Sequence, residues 1–151
     1  MKITLDTNIF LNVKNKDKPF YPFSKSIISA IDDQETKFYG IISIIVITEL
    51  SVGYYINNEI LEKNEFLSGL YSNKKYKIIE YTLKIADKAA EIRSKIKLKL
   101  PDCIILASAL IQNSEILITN DSGFDKAKEL VNIYTSEEFF KKFLKSPTNL
   151  H

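Results

Sequence analysis

Histidine and cysteine are almost absent from this chain of 151 residues, whose only histidine is His151 and whose only cysteine is Cys103. A lone cysteine cannot form an internal disulfide, which is typical of proteins in a reducing cytoplasm. Cys103 is therefore interpreted as a small core residue. Because Zn²⁺ sites usually recruit His or Cys side chains, zinc chemistry is disfavoured as well.

Long apolar runs are also missing. The longest strongly apolar stretch, Ile41 to Thr48, covers about eight residues, whereas a membrane-spanning helix needs about 20. The first residues include the acid Asp6 and lack an apolar signal core. We therefore expect neither a membrane anchor nor secretion, and a cytoplasmic location.

Arginine is scarce, since Arg93 is the only one among 21 basic residues, and the net charge is only +2. A nearly neutral chain has no global field that would drive tight nucleic-acid binding. Contact with nucleic acid would have to be local, and for both available lysine groups the preferred interpretation is a solvated face. These groups are Lys74, Lys75 and Lys77, and Lys95, Lys97 and Lys99.

What the sequence does contain is an alternation of short apolar runs with longer amphipathic segments, which is typical of an α/β domain with a mainly parallel sheet. We expect a single domain over residues 1–145 and a flexible C-terminal tail over residues 146–151. The predicted strands are Lys2–Leu5, Lys37–Ile42, Lys77–Ile79, Ile116–Ile118 and Val131–Tyr134. The predicted helices are Phe23–Asp33, Ile44–Tyr55, Asn58–Leu70, Leu83–Ile96, Pro101–Gln112, Phe124–Glu129 and Glu137–Leu144.

Several residues mark where these helices begin. Ser43, Thr82 and Ser136 are suitable N-caps, because their hydroxyls can accept a hydrogen bond from a free backbone N–H. Pro101 suits the first turn of its helix. Pro19 and Pro22 are expected to bracket a short loop after the first strand.

Four acids stand where apolar runs meet predicted helices: Asp6, Glu49, Asp102 and Asp121. Carboxylates beside apolar surface are costly to bury unless something pairs with them. In a parallel sheet the strand ends meet at one edge, so all four would converge in one crevice. Such a cluster favours a bound divalent cation.

Each acid also has a simpler structural interpretation. Asp6 and Asp121 follow strands and are suitable helix N-caps. Asp102 lies at a helix N-terminus, where a negative charge is favourable. Glu49 is harder to explain in this way, because it is embedded in the apolar stretch from Ile44 to Leu50.

Taken together, the acids favour metal-assisted chemistry. Neighbouring carboxylates repel one another and raise each other's pKa unless a cation compensates. Oxygen-only ligand sets suit Mg²⁺ or Mn²⁺. Such ions activate water and polarise phosphate groups, so phosphodiester hydrolysis is the reaction class that fits.

Four segments of the chain, in this order, resemble the signature segments of PIN-domain nucleases: Asp6 to Phe10, Ile47 to Leu50, Pro101 to Ala109 and Ile118 to Phe124. The resemblance implies a three-layer α/β/α fold with a five-stranded parallel sheet of order 3-2-1-4-5. It also implies RNA cleavage that depends on Mg²⁺ or Mn²⁺.

By matching position, the resemblance implies that Asp6, Glu49 and Asp102 are the core metal ligands and that Asp121 is the fourth acid. It assigns Asn8 and Thr119 to orienting the acids. Asp125, whose spacing from Ser122 is typical of a capping box, is interpreted as a cap in preference to a ligand.

The compact chain is similar to VapC-type toxins of toxin–antitoxin pairs. This resemblance implies a small antitoxin that inserts a basic side chain, typically Arg, among the four acids. The segment from Ile44 to Leu70 offers apolar surface for that partner and for a homodimer, although the same residues could face only the domain's own core.

Other classes remain open. A haloacid-dehalogenase-like phosphatase needs a second Asp where this chain has Asn8, and a receiver domain needs an Asp after its middle strand, where only Glu80 is available. A housekeeping RNA-processing nuclease or a degenerate, inactive binding module would use the same fold.

Overall fold

The computed structural model describes residues 1–145, so the expected flexible tail lies outside the described residues. Five parallel strands form one sheet of order β3-β2-β1-β4-β5. The predicted parallel sheet and its order are thereby confirmed. The strands are β1 (Lys2–Leu5), β2 (Tyr39–Ser43), β3 (Tyr76–Ile79), β4 (Ile116–Ile118) and β5 (Asn132–Tyr134). β1 and β4 have their predicted bounds, β3 and β5 differ from theirs by one residue at the start, and β2 begins two residues later and ends one residue later than predicted.

Helices cover both faces of this sheet. They are α1 (Thr7–Lys14), α2 (Tyr21–Asp32), α3 (Ile44–Ile56), α4 (Ile60–Ser72), α5 (Leu83–Lys95), α6 (Leu100–Ile111) and α7 (Ser136–Phe139). β4 is apolar at every position, and β1 buries Ile3, Thr4 and Leu5, since both faces of these central strands are covered. The main core surrounds these two strands.

Helix α1 was not predicted. Asp6 accepts a hydrogen bond from the backbone N–H of Thr7 and caps the helix directly after β1. Ile9 and Phe10 then bury its inner face. The expected proline-bracketed loop is also corrected, because α2 begins at Tyr21 with Pro22 in its first turn.

Three of the four predicted helix starts are confirmed. The Ser43 and Thr82 side chains accept from backbone N–H groups of α3 and α5, and Pro101 lies in the first turn of α6. The prediction for Ser136 was wrong. Thr135 caps α7 in a capping box with Glu138.

Two predicted α-helices take other forms. The segment expected at Phe124–Glu129 is a 3₁₀ helix at Ser122–Ala127. The helix expected at Glu137–Leu144 is divided into α7 and a π-helical turn over Phe140–Leu144.

This topology places three connections at one edge of the sheet. β1 leads at once into α1, β2 into α3, and β4 into the 3₁₀ helix. The N-terminus of α6 lies at the same edge, because α6 runs back across the sheet before β4 starts. Within residues 1–145, no helix is long and apolar enough to cross a membrane.

Candidate active site

Asp6 is the most deeply buried acid of the site, with only 5% of its surface exposed. One carboxylate oxygen, Oδ1, accepts a hydrogen bond of 2.7 Å from the backbone N–H of Thr7. The other, Oδ2, accepts from the Thr119 hydroxyl at 2.7 Å and from the Asn8 amide at 2.9 Å. Burial raises the pKa of the Asp6 carboxyl, while the Thr119 and Thr7 hydrogen bonds oppose that rise. Asp6 is thus both a helix cap and a fixed carboxylate at the sheet edge.

Asn8 and Thr119 are placed where they orient the acids. The Thr119 hydroxyl donates to Asp6 and also accepts from the backbone N–H of Asp121 at 3.0 Å. The Asn8 side-chain oxygen accepts from the backbone N–H of Asn120 at 3.1 Å. These bonds join the end of β1 to the end of β4, so the two strand-end acids share one polar framework.

Asp121 caps the 3₁₀ helix, and its Oδ1 accepts from the backbone N–H of Gly123 at 2.8 Å. Its side chain is exposed. The expected capping box from Ser122 to Asp125 does not form at this helix start, because Asp121 is the cap. Asp125 instead pairs with Lys128 on the surface at 3.3 Å.

Glu49 projects from the second turn of α3, as predicted, but its surroundings differ from the expectation. The residue is exposed and is not embedded in apolar surface. Its Oε1 accepts a hydrogen bond of 2.8 Å from the Thr7 hydroxyl. Glu49 therefore leans over the start of α1, next to Asp6.

Asp102 is half-buried in the first turn of α6. Its pKa is raised to about 6, first by burial and then by the negative charges of Asp6, Asp121 and Glu49. Lys99 opposes this rise. Because each of the other three acids contributes to the pKa of Asp102, the structure brings all four predicted acids into one electrostatic neighbourhood.

The donor chemistry of this neighbourhood fits a hard divalent cation. The four side chains offer only carboxylate oxygens, which Mg²⁺ and Mn²⁺ prefer. In residues 1–145, no three Asp, Glu, His or Cys side chains are already grouped so that they could hold a metal ion. Glu49 is bonded to Thr7, and Asp121 to Gly123. Both would exchange these partners to ligate an ion.

Sequence reasoning missed a second tier of polar residues beneath the acids. The Asn120 amide donates to the Asn12 side chain at 2.9 Å. Its oxygen accepts from the backbone N–H and the hydroxyl of Ser136, at 2.9 and 3.0 Å. Ser24 also donates to Asn12, at 3.2 Å. The only sequence signal was the position of Asn120 between Thr119 and Asp121.

Cys103 is buried beside Asp102, and its thiol contacts the carbonyl oxygen of Leu98 at 3.8 Å. Burial raises the pKa of this thiol. A thiol that resists ionisation is a poor nucleophile, which agrees with its interpretation as a core residue.

Comparison with known proteins agrees with this architecture. A family model described as PIN domain matches residues 3–130. Among solved structures, the chain is similar to a toxin-antitoxin complex from Klebsiella pneumoniae, with 25% identity and a TM-score of 0.68 over 89% of this chain and 97% of that chain. No curated protein sequence matches the chain.

Two further solved structures share the fold. VapBC2 from Rickettsia felis, solved bound to a DNA fragment from its promoter, is 21% identical, with a TM-score of 0.67 over 89% of this chain and 98% of that chain. VapBC-1 from nontypeable Haemophilus influenzae is 19% identical, with a TM-score of 0.65 over 91% of this chain and 99% of that chain.

Proposed function

The chain belongs to the PIN domain family, and from that premise we propose that it is an endoribonuclease dependent on Mg²⁺ or Mn²⁺ that hydrolyses RNA phosphodiester bonds. The observation that supports this proposal is geometric: Glu49 bonds to Thr7 next to Asp6, and Thr119 joins Asp6 to the backbone of Asp121, at the edge of the sheet where α6 presents Asp102. Four carboxylates gathered at one sheet edge repel one another unless a cation compensates. The nuclease domain spans residues 1–145, and the protein acts in the cytoplasm.

Asp6, Glu49, Asp102 and Asp121 would hold the ion. When bound, it supplies a water molecule of lowered pKa and neutralises charge on the phosphate. The chain's own contribution is to fix the ligands. Thr119 and Asn8 hold one oxygen of Asp6 in place, so less conformational freedom is lost when a ligand or substrate binds.

A direct test uses a labelled single-stranded RNA and purified protein. Cleavage is expected with Mg²⁺ or Mn²⁺ and should stop when a chelator is added. Asp6→Asn is expected to remove most activity, because it replaces a central ligand oxygen by an amide. The matched control is Asp87→Asn, an exposed acid on α5, which should cleave like wild type. Full activity in chelator, or in Asp6→Asn, would contradict the metal-hydrolase mechanism.

We further propose that the chain is the toxin of a toxin–antitoxin pair. The similarity to a solved toxin-antitoxin complex supports this partner. A short antitoxin would insert a basic side chain among the four acids, since one guanidinium can bind several carboxylates at once.

The apolar surface that was expected on the helices after β2 is present at one end of the α3–α4 hairpin. Its exposed members range from 48% to 76% exposed: Val52, Tyr55, Ile56, Ile60 and Leu61. Contiguous exposed apolar surface marks interaction sites. We propose it as the surface for the antitoxin and for a homodimer contact.

Growth of a host that expresses the chain alone tests the toxin proposal. Wild type is expected to arrest growth, and Asp6→Asn at the same soluble level should not. Equal growth of both strains, together with RNA cleavage by the purified wild type, would indicate a housekeeping RNA-processing nuclease. Absence of cleavage with either metal would indicate an inactive binding module.

A further inference from the structure

An acidic centre creates a difficulty for a nuclease, because its substrate is a polyanion. The net charge of +2 is too small to attract RNA over the whole surface. Positive charge must therefore stand close to the acids. Some basic side chains are poorly placed to provide it, because they are paired with acids or lie at the opposite edge of the sheet.

Ion pairs already occupy several of the lysines. Within residues 1–145 the lysines paired with acids are Lys14, Lys88, Lys95, Lys128 and Lys141. Lys97, Lys99 and Lys126 take part in none of these pairs.

The segment between α5 and α6 exposes two of these three lysines. The backbone is extended at Ile96 and at Lys99 and turns between them, where the Leu98 N–H donates to the carbonyl oxygen of Ile96 at 2.9 Å. Leu98 packs inward with 4% of its surface exposed, while Lys97 and Lys99 are exposed. Lys99 then leads directly into the first turn of α6, which carries Asp102.

Lys126 lies next to Lys97 but belongs to a different element. It belongs to the 3₁₀ helix that Asp121 caps. Its Nζ donates a hydrogen bond of 3.0 Å to the carbonyl oxygen of Lys97. The three lysines therefore lie on segments that adjoin Asp102 and Asp121.

The other lysine group identified in the sequence is placed differently. Lys74, Lys75 and Lys77 lie at or near the start of β3, at the opposite edge of the sheet. Lys75 is buried, and its Nζ donates to carbonyl oxygens of Asp33 and Thr36 at 3.1 and 2.9 Å. Lys77 donates to Gln112 at 3.0 Å. Lys75 and Lys77 are thus engaged in structural hydrogen bonds, and Lys74 is exposed far from the acids along the sheet.

We infer that Lys97, Lys99 and Lys126 form a lysine rim that binds the phosphate backbone of single-stranded RNA beside the four acids. This inference rests on the proposed function. Lysine ammonium groups act as point charges on phosphates and read no base edge. The rim therefore supplies affinity and leaves sequence preference to other parts of the surface.

Binding of a fluorescent single-stranded RNA, measured by anisotropy in chelator so that no cleavage occurs, tests the rim. The double variant Lys97→Ala/Lys99→Ala is compared with Lys37→Ala/Lys74→Ala, which removes the same charge from exposed lysines at the opposite edge. Each phosphate contact contributes roughly fivefold at about 0.1 M salt, so we expect the rim variant to weaken binding about 25-fold. The slope of log affinity against log salt should flatten by about 1.4.

Two further variants sharpen the comparison. The control pair should change affinity by less than about twofold, because its lysines precede β2 and β3 at the opposite edge of the sheet and salt screens distant exposed charges. Lys97→Arg/Lys99→Arg keeps both charges and should restore most of the binding. Lys126→Ala alone should weaken it about fivefold. When the metal is present, the double variant Lys97→Ala/Lys99→Ala should raise KM for RNA and leave kcat near the wild-type value.

The outcomes separate this inference from the proposed nuclease function. If wild type cleaves RNA but the two double variants bind RNA with equal affinity, the lysine rim is refuted and the proposed nuclease function stands. If RNA binding depends on these lysines but wild type does not cleave RNA in Mn²⁺, the nuclease function is refuted and the lysine rim stands. Failure of wild type to bind RNA would refute the rim.

Discussion

Replacing Asp102 by Asn should stabilise the metal-free protein, and the gain should depend on pH. The folded pKa of about 6 lies above the ordinary value of 3.8. A carboxyl whose pKa is raised by folding contributes stability below its unfolded pKa, and that contribution is lost as pH rises through the folded value. Wild type therefore loses stability between about pH 4 and pH 6 through this group. The Asp102→Asn variant has no group that ionises at this position, so it does not lose this stability as pH rises.

The size of the effect follows from the same values. A tenfold change in proton affinity corresponds to about 1.4 kcal/mol, so the shift from 3.8 to about 6 would give about 3 kcal/mol at full strength. Asp102 is only half-buried, and solvent screening reduces this figure to about 1.5 kcal/mol. Loss of a negative charge at the N-terminus of α6 costs about 0.5 kcal/mol. The net gain is about 1 kcal/mol at neutral pH, or about 2–4 °C in Tm.

Urea unfolding in chelator at about pH 4 and about pH 8 measures this difference. Asp102→Asn should exceed wild type at the higher pH and match or fall slightly below it at the lower pH. Asp87→Asn, the exposed control on α5, should show no such dependence on pH. Saturating Mn²⁺ should reverse the order, because an ion at about 100 times its Kd stabilises wild type by about 2.7 kcal/mol. A variant less stable than wild type at both pH values, or equal responses to Mn²⁺, would refute the reasoning.

Further predictions concern the supports of the site. Thr119→Val removes the 2.7 Å hydrogen bond to the buried Asp6, and it should cost about 1–3 kcal/mol of stability and lower kcat more than it changes RNA affinity. Retention of full kcat in a folded Thr119→Val protein would contradict the orienting role. Gly40→Ala should destabilise the sheet by about 1–3 kcal/mol, because a Cβ there would lie 2.5 Å from the Tyr76 ring. Combining it with Tyr76→Ala, in a urea-unfolding double-mutant cycle, should show coupling above about 0.5 kcal/mol, and simple additivity would argue against that clash.

Regular patterns in the sequence were sufficient to predict the central part of the fold. β1 and β4 were predicted with their observed bounds, because strands buried on both faces are continuous apolar runs. Helix α1 was missed although Asp6 was considered a suitable helix N-cap, because no helix was predicted between β1 and Phe23. Asp6, Thr7 and Asn8 cap and open this helix, so one short motif serves both the site and the local structure.

The acids were identified from their positions, but their environments could not be predicted. α3 is apolar around most of its circumference, so its sequence does not indicate which side faces solvent. Glu49 was therefore expected to be embedded, although it is exposed and bonded to Thr7. The bonds of Asn120 to Asn12 and Ser136 join residues 108 and 16 positions apart. Only the folded chain brings these partners together.

The hydrogen bond between Thr119 and Asp6 spans 113 positions of the chain, and this separation bears on protein synthesis. A ribosome completes Asp6 at the very start of translation and Thr119 only after β4 has been made. Ser136, which bonds to Asn120 in the loop after β4, is made later still. A nascent or prematurely terminated chain that ends before β4 thus carries Asp6, Glu49 and Asp102 without the framework that orients Asp6. The proposed site is completed by the last third of the chain, so we expect incomplete products to be inactive.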